Sequence, residues 1–505
     1  MKKIKSALIS VYSKEGIEPL IKKLNELNVK IFSTGGTFDY IKSIGVEALT
    51  VESITSYPSI LGGRVKTLHP KIFGGILGRR DLVSDIEQLS EYEIPEIDLV
   101  IVDLYPFEKT AASTTNEAEI IEKIDIGGIS LIRAAAKNFK DVVIIPSLDE
   151  YTNLLSLLNE KQGYTDISDR KLFAAKAFNI SSHYDTHIFN YFNIEAQLPV
   201  FKQSILQSNS LRYGENPHQH AIYHGDIADY FLQLHGKEIS YNNMLDIDAA
   251  IALISDFEET TFAIIKHNNA CGLASREKLV DAWKDALAAD PISAFGGILI
   301  CNTIVDDGTA LEINKLFFEI IIAPKYENNA LEILKSKKNR IILQNKDFVL
   351  NNKQFKTVLN GVIAQERDAL IEKPDDLKVV THLLPNDMQI SDLLFANILV
   401  KHTKSNAIVL VKDKQLLASG VGQTSRVDAL KQAIAKAKSF GFELEGAVMA
   451  SDAFFPFADS VEIANNEGVS AVIQPGGSVK DQESIDFCNQ HQMAMVFTGN
   501  RHFKH

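Results

Sequence analysis

The chain has 505 residues, of which 45% are hydrophobic and 23% charged, and its formal net charge is −13. One hydrophobic core rarely organises a chain of this length, so the sequence predicts two or more domains. No apolar run reaches the roughly eighteen residues of a membrane-spanning helix, and the acidic balance argues against a surface that coats nucleic acid.

The N-terminal segment and the cysteines argue against two further classes of protein. MKKIKSALISVYSK lacks the long apolar core and small-residue cleavage site of a signal peptide. ALISV is therefore predicted to be a first buried strand, and the protein is predicted to be cytoplasmic. Cys271, Cys301 and Cys488 lie far apart and form no CxxC pair, so neither a disulfide framework nor a cysteine zinc site is expected.

Over roughly the first 150 residues, short apolar runs alternate with helix-like stretches, a pattern typical of a parallel α/β sheet. The predicted strands are ALISV, VKIFS, DLVIVDLYPF and DVVIIPS, and the predicted helices cover residues 16–27, 37–44 and 130–138. A further helix is predicted over 172–192, followed by the exposed connector AQLPVFKQ. This connector places a domain boundary near residue 198.

Two loops at strand ends are candidates for binding a phosphate. STGGT, residues 33–37, follows a strand and opens a helix whose free N–H groups attract an anion. SVYSK, residues 10–14, would lie beside it and add a hydroxyl and an ammonium group. The alternative for STGGT is a tight turn with a threonine cap.

Two longer motifs add charged groups. GGRVKTLHP, residues 62–70, brings Arg64, Lys66 and Thr67 together, although a solvated basic loop is the alternative. In IDIGGISLIRAAAKN, residues 124–138, Asp125 precedes a glycine pair that should start a helix, and Arg133 and Lys137 share one face of it. An Asp–Lys pair suits proton transfer because each group shifts the pKa of the other.

SVYSK, STGGT, LGGRVKTLHP, LYPF and IDIGG…RAAAKN stand in this order, and together they resemble the inosine-monophosphate (IMP) cyclohydrolase domain of bifunctional purine biosynthesis enzymes. The resemblance implies a methylglyoxal-synthase-like α/β fold for residues 1–198. It also implies that a nucleotide binds at Tyr12, Ser13, Lys14, Thr34, Gly35, Gly36, Thr37, Arg64, Val65, Lys66, Thr67, Asp103, Leu104, Asp125 and Ile126.

The same resemblance implies catalytic roles. Lys137 would give or take the proton of ring closure with help from Asp125 and Tyr105, and Lys66 would stabilise negative charge. The chain departs from the family pattern at two positions: Asp103 stands where the family usually has Asn, and Ser13 stands where it usually has Asp. These departures put the local contacts in doubt, but not the domain.

The second half of the chain also mixes strands and helices. FAIIKH, GGILIC, EIIIAP, AIVLVK, AVMAS, SAVIQ and MAMVF are its predicted strands. Two stretches end similarly, in SAFGG at residues 293–297 and in DAFFP at residues 452–456. The similarity hints at a duplicated unit.

Two motifs of this half suit a nucleotide and its chemistry. LRYGENPHQ joins Arg212 and Tyr213, which suit a phosphate and a flat base, although a surface turn is the alternative. In FAIIKHNNACG, Lys266 and His267 come directly after an apolar strand. The imidazole titrates near neutrality and the ammonium can stabilise an oxyanion, so the pair is a candidate acid–base site, whereas a structural histidine is the alternative.

Further motifs follow towards the C-terminus. SDAFFPFAD, residues 451–459, is by default core packing, but it could wall a flat ligand such as a pterin with Asp459 binding its amino groups. RHFKH, residues 501–505, follows a buried strand and is expected to fold back. With SN at residues 405–406, GQTSR at 422–426 and QPGGS at 474–478, the motifs resemble the aminoimidazole-carboxamide ribonucleotide (AICAR) transformylase domain of the same family.

This second resemblance implies that residues 199–505 form two cytidine-deaminase-like subdomains without a zinc site. His267 would be the base and Lys266 would stabilise the transition state. Nucleotide-binding positions would be Arg212, Tyr213, His267, Gly296, Glu319, Asn406, Arg426, Phe454, Arg501 and His505, and folate-binding positions would be Val427, Asp459, Gly476 and Gly477. Glu319 replaces the Asp of some members, and Lys504 interrupts a terminal His pair.

The expected function is therefore a relay of two reactions. A formyl group passes from 10-formyltetrahydrofolate to AICAR, and the formamido product (FAICAR) closes to IMP with loss of water. The resemblance further implies a homodimer and no catalytic metal, with no nucleic-acid or membrane partner, and the sequence leaves open whether a structural monovalent cation binds. The alternatives are a methylglyoxal-synthase-like lyase and a non-catalytic nucleotide-binding protein that retains the fold.

Overall fold

The computed structural model describes residues 1–505, which divide into two compact units, Met1–Leu206 and Gln207–His505. The segment around the predicted boundary at residue 198 is exposed and carries no helix or strand. No helix in the chain has both the length and the apolar character needed to cross a bilayer.

The first unit is built on a parallel sheet of five strands in the order β4-β3-β2-β5-β6. Its strands are β1 (Lys2–Lys3), β2 (Ser6–Ser10), β3 (Lys30–Ser33), β4 (Leu49–Thr50), β5 (Leu99–Val102), β6 (Val143–Ile145) and β7 (Tyr164–Thr165). Its helices are α1 (Glu18–Glu26), α2 (Gly35–Ser43), α3 (Val51–Thr55), α4 (Pro70–Leu77), α5 (Val83–Glu91), α6 (Phe107–Ser113), α7 (Glu117–Ile121), α8 (Gly127–Lys137), α9 (Tyr151–Lys161) and α10 (Ile167–Ala196).

The apolar runs of the sequence became the buried strands of this sheet. All four residues of β5 are buried, as a parallel strand covered on both faces requires. Helix α1 buries Leu20, Ile21 and Leu24 on one face, which is the expected helical spacing. The four predicted strands are confirmed, and the predicted helices are confirmed with ends shifted by a few residues, most at the last one, which runs as α10 from Ile167 to Ala196.

The second unit is built on a mixed sheet of twelve strands in the order β10-β15-β14-β13-β11-β12-β20-β19-β21-β22-β23-β18. Its strands are β8 (Ser208–Leu211), β9 (Ala221–His224), β10 (Phe231–His235), β11 (Thr261–Lys266), β12 (Asn269–Ser275), β13 (Ile298–Cys301), β14 (Ile320–Ala323), β15 (Ile341–Asn345), β16 (Lys353–Val358), β17 (Gly361–Glu366), β18 (Lys378–Val379), β19 (Ile408–Lys412), β20 (Gln415–Gly420), β21 (Val448–Ser451), β22 (Ala471–Gln474) and β23 (Ala494–Phe497). Its helices are α11 (Tyr241–Ile254), α12 (Leu279–Ala289), α13 (Asp307–Ile313), α14 (Asn328–Lys335), α15 (Asp387–Lys401), α16 (Arg426–Ser439), α17 (Asp459–Asn466) and α18 (Asp481–Gln490).

The second unit repeats one order of elements twice. The run β10-α11-β11-β12-α12-β13-α13-β14-α14-β15 recurs as β18-α15-β19-β20-α16-β21-α17-β22-α18-β23. Read outward from the β12–β20 junction, the strand order is also the same on both sides. The predicted duplication is therefore confirmed by topology. The two motifs that suggested it are not equivalent, however, because SAFGG precedes β13 whereas DAFFP follows β21.

The repeat extends to individual contacts. Asp246 on α11 accepts the backbone N–H of Asn268 at 2.6 Å, in the turn between β11 and β12. Asp392 on α15 accepts the backbone N–H groups of Asp413 and Lys414 at 2.8 and 2.7 Å, in the turn between β19 and β20. An aspartate on the equivalent helix thus holds the equivalent hairpin turn in each half.

In both halves a glycine lets a hairpin strand touch a helix backbone. A Cβ added to Gly272 in β12 would overlap the carbonyl oxygen of Ala286, and one added to Gly420 in β20 would overlap the carbonyl oxygen of Ala429. A backbone cannot give way as a flexible side chain can, so these two contacts require glycine.

We expect Gly420→Ala to lower the free energy of unfolding of the second unit by about 1–3 kcal/mol, because the added methyl group forces strand and helix apart. Gly361→Ala is the control, since its nearest neighbouring atom is 3.9 Å from the new Cβ and its φ is not left-handed. Urea unfolding followed by fluorescence measures both. Equal midpoints for the two variants would contradict the tight contact.

Candidate active sites

A cavity of about 680 Å³ opens beyond the carboxyl ends of the first unit's strands. Its walls include residues that follow β2, β3 and β5. Strand β2 lies between the other two, and the chain leaves it towards β3 on one side while β5 pairs on the other. This is the switch point at which parallel sheets bind their ligands.

Most of the predicted nucleotide-binding residues meet in this cavity. Those that line it are Tyr12, Lys14, Thr34, Gly36, Thr37, Arg64, Val65, Lys66, Thr67, Asp103, Asp125 and Ile126, together with the predicted catalytic Tyr105. Ser13, Gly35 and Leu104 belong to the same loops without lining it.

A helix N-terminus faces the cavity at the STGGT loop. Helix α2 begins at Gly35, and the first N–H groups of a helix have no partner within it. Thr34 is the N-cap residue of this helix, but its side chain makes no capping hydrogen bond; its Oγ1 instead lies 2.9 Å from Oγ of Ser10. The free N–H groups leave this loop suited to an anion such as a phosphate.

Three cations add to this positive end. Lys14 donates from Nζ to the carbonyl oxygens of Val11 and Tyr12 at 2.6 and 3.0 Å, and burial lowers its pKa. Nζ of Lys66 lies 3.8 Å from where a Cβ on Gly35 would stand. Arg64 is exposed and paired with Glu122. The Lys66 ammonium thus lies directly over the start of α2.

Two carboxyl groups, the buried Asp103 and the partly buried Asp125, balance these cations. Asp103 accepts the backbone N–H groups of Tyr12 and Ser13, the latter at 2.9 Å, and burial raises its pKa. Oδ1 of Asp125 accepts the N–H of Gly128 at 2.6 Å, and burial raises the pKa of this carboxyl group too. A carboxyl group whose pKa is raised towards neutrality exchanges protons more readily at physiological pH.

The Asp125 loop is held from two sides. Its backbone N–H donates to Oη of Tyr184 on α10 at 2.9 Å, and that hydroxyl donates to the carbonyl oxygen of Lys123 at 2.5 Å. A Cβ on Gly128 would lie only 2.7 Å from Oδ2 of Asp125. The glycine in IDIGG is therefore required by the position of the aspartate.

Lys137 is not in the cavity. It is exposed at the last residue of α8, whereas Asp125 precedes the first residue of that helix. A rise of about 1.5 Å per residue separates the ends of such a helix by roughly 15 Å. The predicted Asp125–Lys137 pair is thus not formed within this chain, and the lysine whose charge acts on Asp125 is Lys66.

Sequence reasoning missed Glu122, which lines the cavity beside Arg64. The cluster of acidic residues just before IDIGG was the available signal for a carboxylate near the basic loop. It also missed Gly127 and Gly128 as part of the wall, although both stand in the motif that was singled out.

In the second unit, strand direction brings the predicted residues to one edge of the sheet. Every neighbouring pair in the row β13-β11-β12-β20-β19-β21 is antiparallel. Because this row contains five such pairs, β13 and β21 run in opposite directions. The start of β13 therefore shares an edge with the end of β21. The predicted residues next to strand ends on this edge are Lys266, Gly296, Glu319, Asn406, Phe454, Gly476 and Arg501.

The Lys266–His267 pair lies at a two-residue hairpin turn at this edge. Nζ of Lys266 donates to the carbonyl oxygen of Phe295 at 2.9 Å and lies 3.3 Å from where a Cβ on Gly296 would stand. His267 and Asn268 have φ of 50° and 63° between the paired strands β11 and β12. Positive φ at both central residues is usual in a two-residue hairpin, and Asp413 and Lys414 in the equivalent turn of the other half have φ of 52° and 51°.

The C-terminal segment folds back, as predicted. The backbone N–H of Lys504 donates to Oγ of Ser405 at 3.0 Å, and its Nζ donates to the carbonyl oxygens of His402 and Asn268 at 2.9 and 3.4 Å. Lys504, which departs from the family's terminal His pair, therefore ties the tail to the His267 turn. Burial lowers its pKa.

The tail also brings cations and aromatic rings together. The guanidinium groups of Arg501 and Arg426 lie 4.3 and 5.7 Å from the ring of Phe503, whose ring is 5.4 Å from that of His505. Arg426 opens α16 and pairs with the buried Asp452 at 3.4 Å. Asn406 donates from Nδ2 to the carbonyl oxygen of Gln423 at 2.9 Å.

The predicted folate-binding residues lie on neighbouring loops of the same half. Oε1 of Gln474 accepts the N–H of Phe455 at 3.0 Å, which joins the loop after β21 to the loop that carries Gly476 and Gly477. Phe455 is fully buried, whereas Phe454 and Phe457 are 37% and 51% exposed. The default of core packing for FFPF thus holds for one of its aromatics only. Asp459 and Val427 stand at the starts of α17 and α16.

Arg212 and Tyr213 lie elsewhere, in the loop between β8 and β9, with the guanidinium 5.5 Å from the tyrosine ring. Glu319 is not free, since its Oε2 lies 2.7 Å from Nζ of Lys237.

Comparisons with known proteins cover the whole chain. A model of the AICARFT/IMPCHase bienzyme family matches residues 135–436, and a model of the MGS-like domain matches residues 16–130. The bifunctional purine biosynthesis protein PurH of Bacteroides thetaiotaomicron is 62% identical over 504 residues, which are 100% of this chain and 99% of that protein. Proteins of the same description from Aquifex aeolicus and Caldicellulosiruptor bescii are 47% and 45% identical over 99% of this chain and 100% of each relative.

His502, in the C-terminal segment that folds back, should make the stability of the protein depend on pH. His502 is buried; burial lowers its pKa, but hydrogen bonds to Asp368 at 2.6 Å and Glu372 at 3.0 Å outweigh burial and raise the pKa to about 9. A raised pKa stabilises the fold fully below the unfolded value of about 6.5, and this stabilisation is lost as the pH rises towards 9. We expect a loss of up to about 3 kcal/mol over that interval.

Urea unfolding of wild type and His502→Gln between pH 6 and 9.5 measures this loss. The variant lacks the titrating ring, so its stability should depend less on pH, with the two curves converging at high pH. Parallel curves would show that His502 does not keep its proton in the folded protein.

Proposed function

The chain belongs to the AICARFT/IMPCHase bienzyme family, and from this premise we propose how its residues divide the two reactions of a formyltransferase and cyclohydrolase. Formyl transfer takes place in the second unit and ring closure in the first. The assignment of ring closure to the first unit rests on the cavity at the switch point. There the N-terminus of α2, Lys14 and Lys66 form a positively charged site for a nucleotide phosphate.

Ring closure depends mainly on the transfer of protons between the reacting nitrogen and oxygen atoms. The carboxamide nitrogen of FAICAR attacks the formyl carbon and loses one proton. The formamido nitrogen then loses its own proton as it forms the new double bond to that carbon, and the formyl oxygen takes up both protons and leaves as water. Asp125, whose pKa burial raises, takes and returns the proton, while the Lys66 ammonium stabilises negative charge. Burial and the charge of Asp125 raise the pKa of Tyr105, so this phenol stays protonated and donates a hydrogen bond.

The cavity contributes mainly by holding a folded conformer of the substrate. An intramolecular attack gains rate when the two reacting atoms are held in contact. Loops from three strands surround the ligand, and Asp103 fixes the backbone at Tyr12 and Ser13 by accepting both N–H groups. We propose that this contact positions the loop.

Formyl transfer uses the Lys266–His267 turn. The amine of AICAR attacks the formyl carbon of 10-formyltetrahydrofolate, His267 accepts the amine proton, and Lys266 stabilises the oxyanion. The bond from the formyl carbon to N10 of the folate then breaks, and the protonated His267 returns the proton to N10 as tetrahydrofolate leaves. The hydrogen bond from Nζ to Phe295 fixes the ammonium beside Gly296. Exposed Phe454 and Phe457 offer faces for the flat pterin, with Asp459 at the start of the following helix, and no step requires a metal.

The domain limits and the assembly are further parts of the proposal. Residues 1–198 carry ring closure and residues 199–505 carry formyl transfer, and the protein works as a homodimer. Multi-angle light scattering tests the assembly: a mass near twice the chain's 56.0 kDa supports the dimer, and a mass near 56.0 kDa at working concentration overturns it.

We expect the two sites to be separable by mutation. With AICAR and 10-formyltetrahydrofolate, His267→Ala should slow tetrahydrofolate release by about 10²–10⁴-fold, because the amine loses its base. Given FAICAR directly, the same variant should form IMP at the wild-type rate. His224→Ala, an exposed histidine on β9, is the control.

Asp125→Ala should have the opposite effect, with normal release of tetrahydrofolate and accumulation of FAICAR, because ring closure loses its proton acceptor. Lys137→Ala with Lys140→Ala as its exposed neighbour tests the predicted role of Lys137. If Lys137→Ala closes the ring as fast as Lys140→Ala, that role is wrong. If wild type forms neither product, the non-catalytic alternative replaces the proposal.

A further inference from the structure

Two histidines on α10 and one glutamate on α6 form a cluster outside the cavity. Nε2 of His183 lies 3.2 Å from Oε2 of Glu108, and Nδ1 of His187 lies 3.6 Å from Oε1 of the same carboxylate. One ligand atom from each of the three residues can be chosen so that all lie within 4.8 Å of one another. We propose that Glu108, His183 and His187 bind one divalent transition-metal ion, with zinc as the prime candidate.

The spacing of the cluster suits a tetrahedral ion. Zinc bonds to imidazole nitrogen and carboxylate oxygen are about 2.0–2.2 Å long, so two ligands of a tetrahedral site are about 3.3–3.6 Å apart. The two separations between imidazole and carboxylate, 3.2 and 3.6 Å, match this value. Each histidine faces a different oxygen of Glu108, and the three ligand atoms lie within 4.8 Å of one another, so side-chain rotation must close them around the ion.

The positions in the chain explain why the rings meet. His183 and His187 are four residues apart on α10, so they lie on one face, and their ring centroids are 4.3 Å apart. Glu108 comes from the first turn of a different helix, α6. Ligands from two packed helices give a site whose geometry the fold sets in advance.

A neighbouring hydroxyl can make the second hydrogen bond that orients a metal-binding histidine. Nδ1 of His183 lies 3.0 Å from Oγ of Ser204. A serine hydroxyl can donate or accept, so it can receive the proton of Nδ1 when Nε2 carries the ion.

The choice of ligands selects the class of ion. Imidazole suits zinc, copper, nickel and iron, whereas magnesium and calcium prefer sites made of oxygen alone. Glu108 is 58% exposed at its side chain, while His183 and His187 are 15% and 27% exposed. Solvent therefore reaches the carboxylate side of the site, where water supplies the fourth ligand.

The ion would join two elements that support the ring-closure cavity without touching it. Helix α6 begins two residues after Tyr105, and α10 carries Tyr184, which holds the backbone of Asp125. The ring centroids of Phe107 and Tyr184 are 6.2 Å apart, so the two helices already pack here. The ion's role in this proposal is structural, since it links α6 to α10.

Cobalt titration of the full chain tests the site directly. The protein is prepared without a histidine tag, stripped with a chelator and titrated with Co²⁺, whose visible absorption reports tetrahedral nitrogen and oxygen ligands. We expect one equivalent to bind per chain, Zn²⁺ to displace it, and Zn²⁺ to raise the thermal midpoint. Mg²⁺ should do neither.

Variants separate a metal site from a hydrogen-bonded cluster. His187→Ala and Glu108→Gln should each weaken Zn²⁺ binding at least tenfold by isothermal titration calorimetry, while Glu117→Gln on α7 and His218→Ala in the second unit should bind as wild type does. Circular dichroism of the stripped variants checks folding. Zn²⁺ binding that is equal in all four variants, or no cobalt spectrum in wild type, would overturn the proposal and leave a His–carboxylate hydrogen-bond cluster.

Discussion

Strand direction is the constraint on which both candidate sites depend. Side chains that follow parallel strands meet at one edge, because each crossover returns the chain to the same starting side. In the first unit this brings the loops after β2, β3 and β5 around one cavity. In the second unit the antiparallel junction of β12 with β20 turns one half around, so that the starts of β13 and β14 share an edge with the ends of β21, β22 and β23.

The cavity of the first unit combines attraction for an anion with two acidic side chains, the buried Asp103 and the partly buried Asp125. Asp103 illustrates how the two coexist, because it accepts N–H groups from two successive residues, one on each carboxylate oxygen. The asparagine that the family resemblance led us to expect here would have only one oxygen to offer. The departure at Asp103 therefore strengthens the support of the loop, and the carboxylate faces N–H groups of the backbone as well as the cavity.

Much of the fold was predictable because its strands are short apolar runs bounded by polar motifs. FAIIKH and AIVLVK are examples, and they form the almost wholly buried strands β11 and β19. The loops that follow the first unit's strands were predictable for the same reason. Contacts between distant segments were not: the pairing of Arg64 with Glu122 and the placement of Lys137 depend on how α8 and the acidic segment before it pack. The cytoplasmic location and the homodimer stay predictions.

The repeat of the second unit has a consequence for how its chemistry could diversify. The two halves meet through equivalent hairpins in antiparallel pairing, the relation that a two-fold axis gives to two identical copies. Such a pair would present the same groups twice at the shared edge. Covalent linkage removed that requirement: one half could keep a lysine–histidine turn while the other acquired aromatic loops and a basic tail. The order of strands and helices is the same in both halves, whereas the side chains that they bring to the shared edge differ.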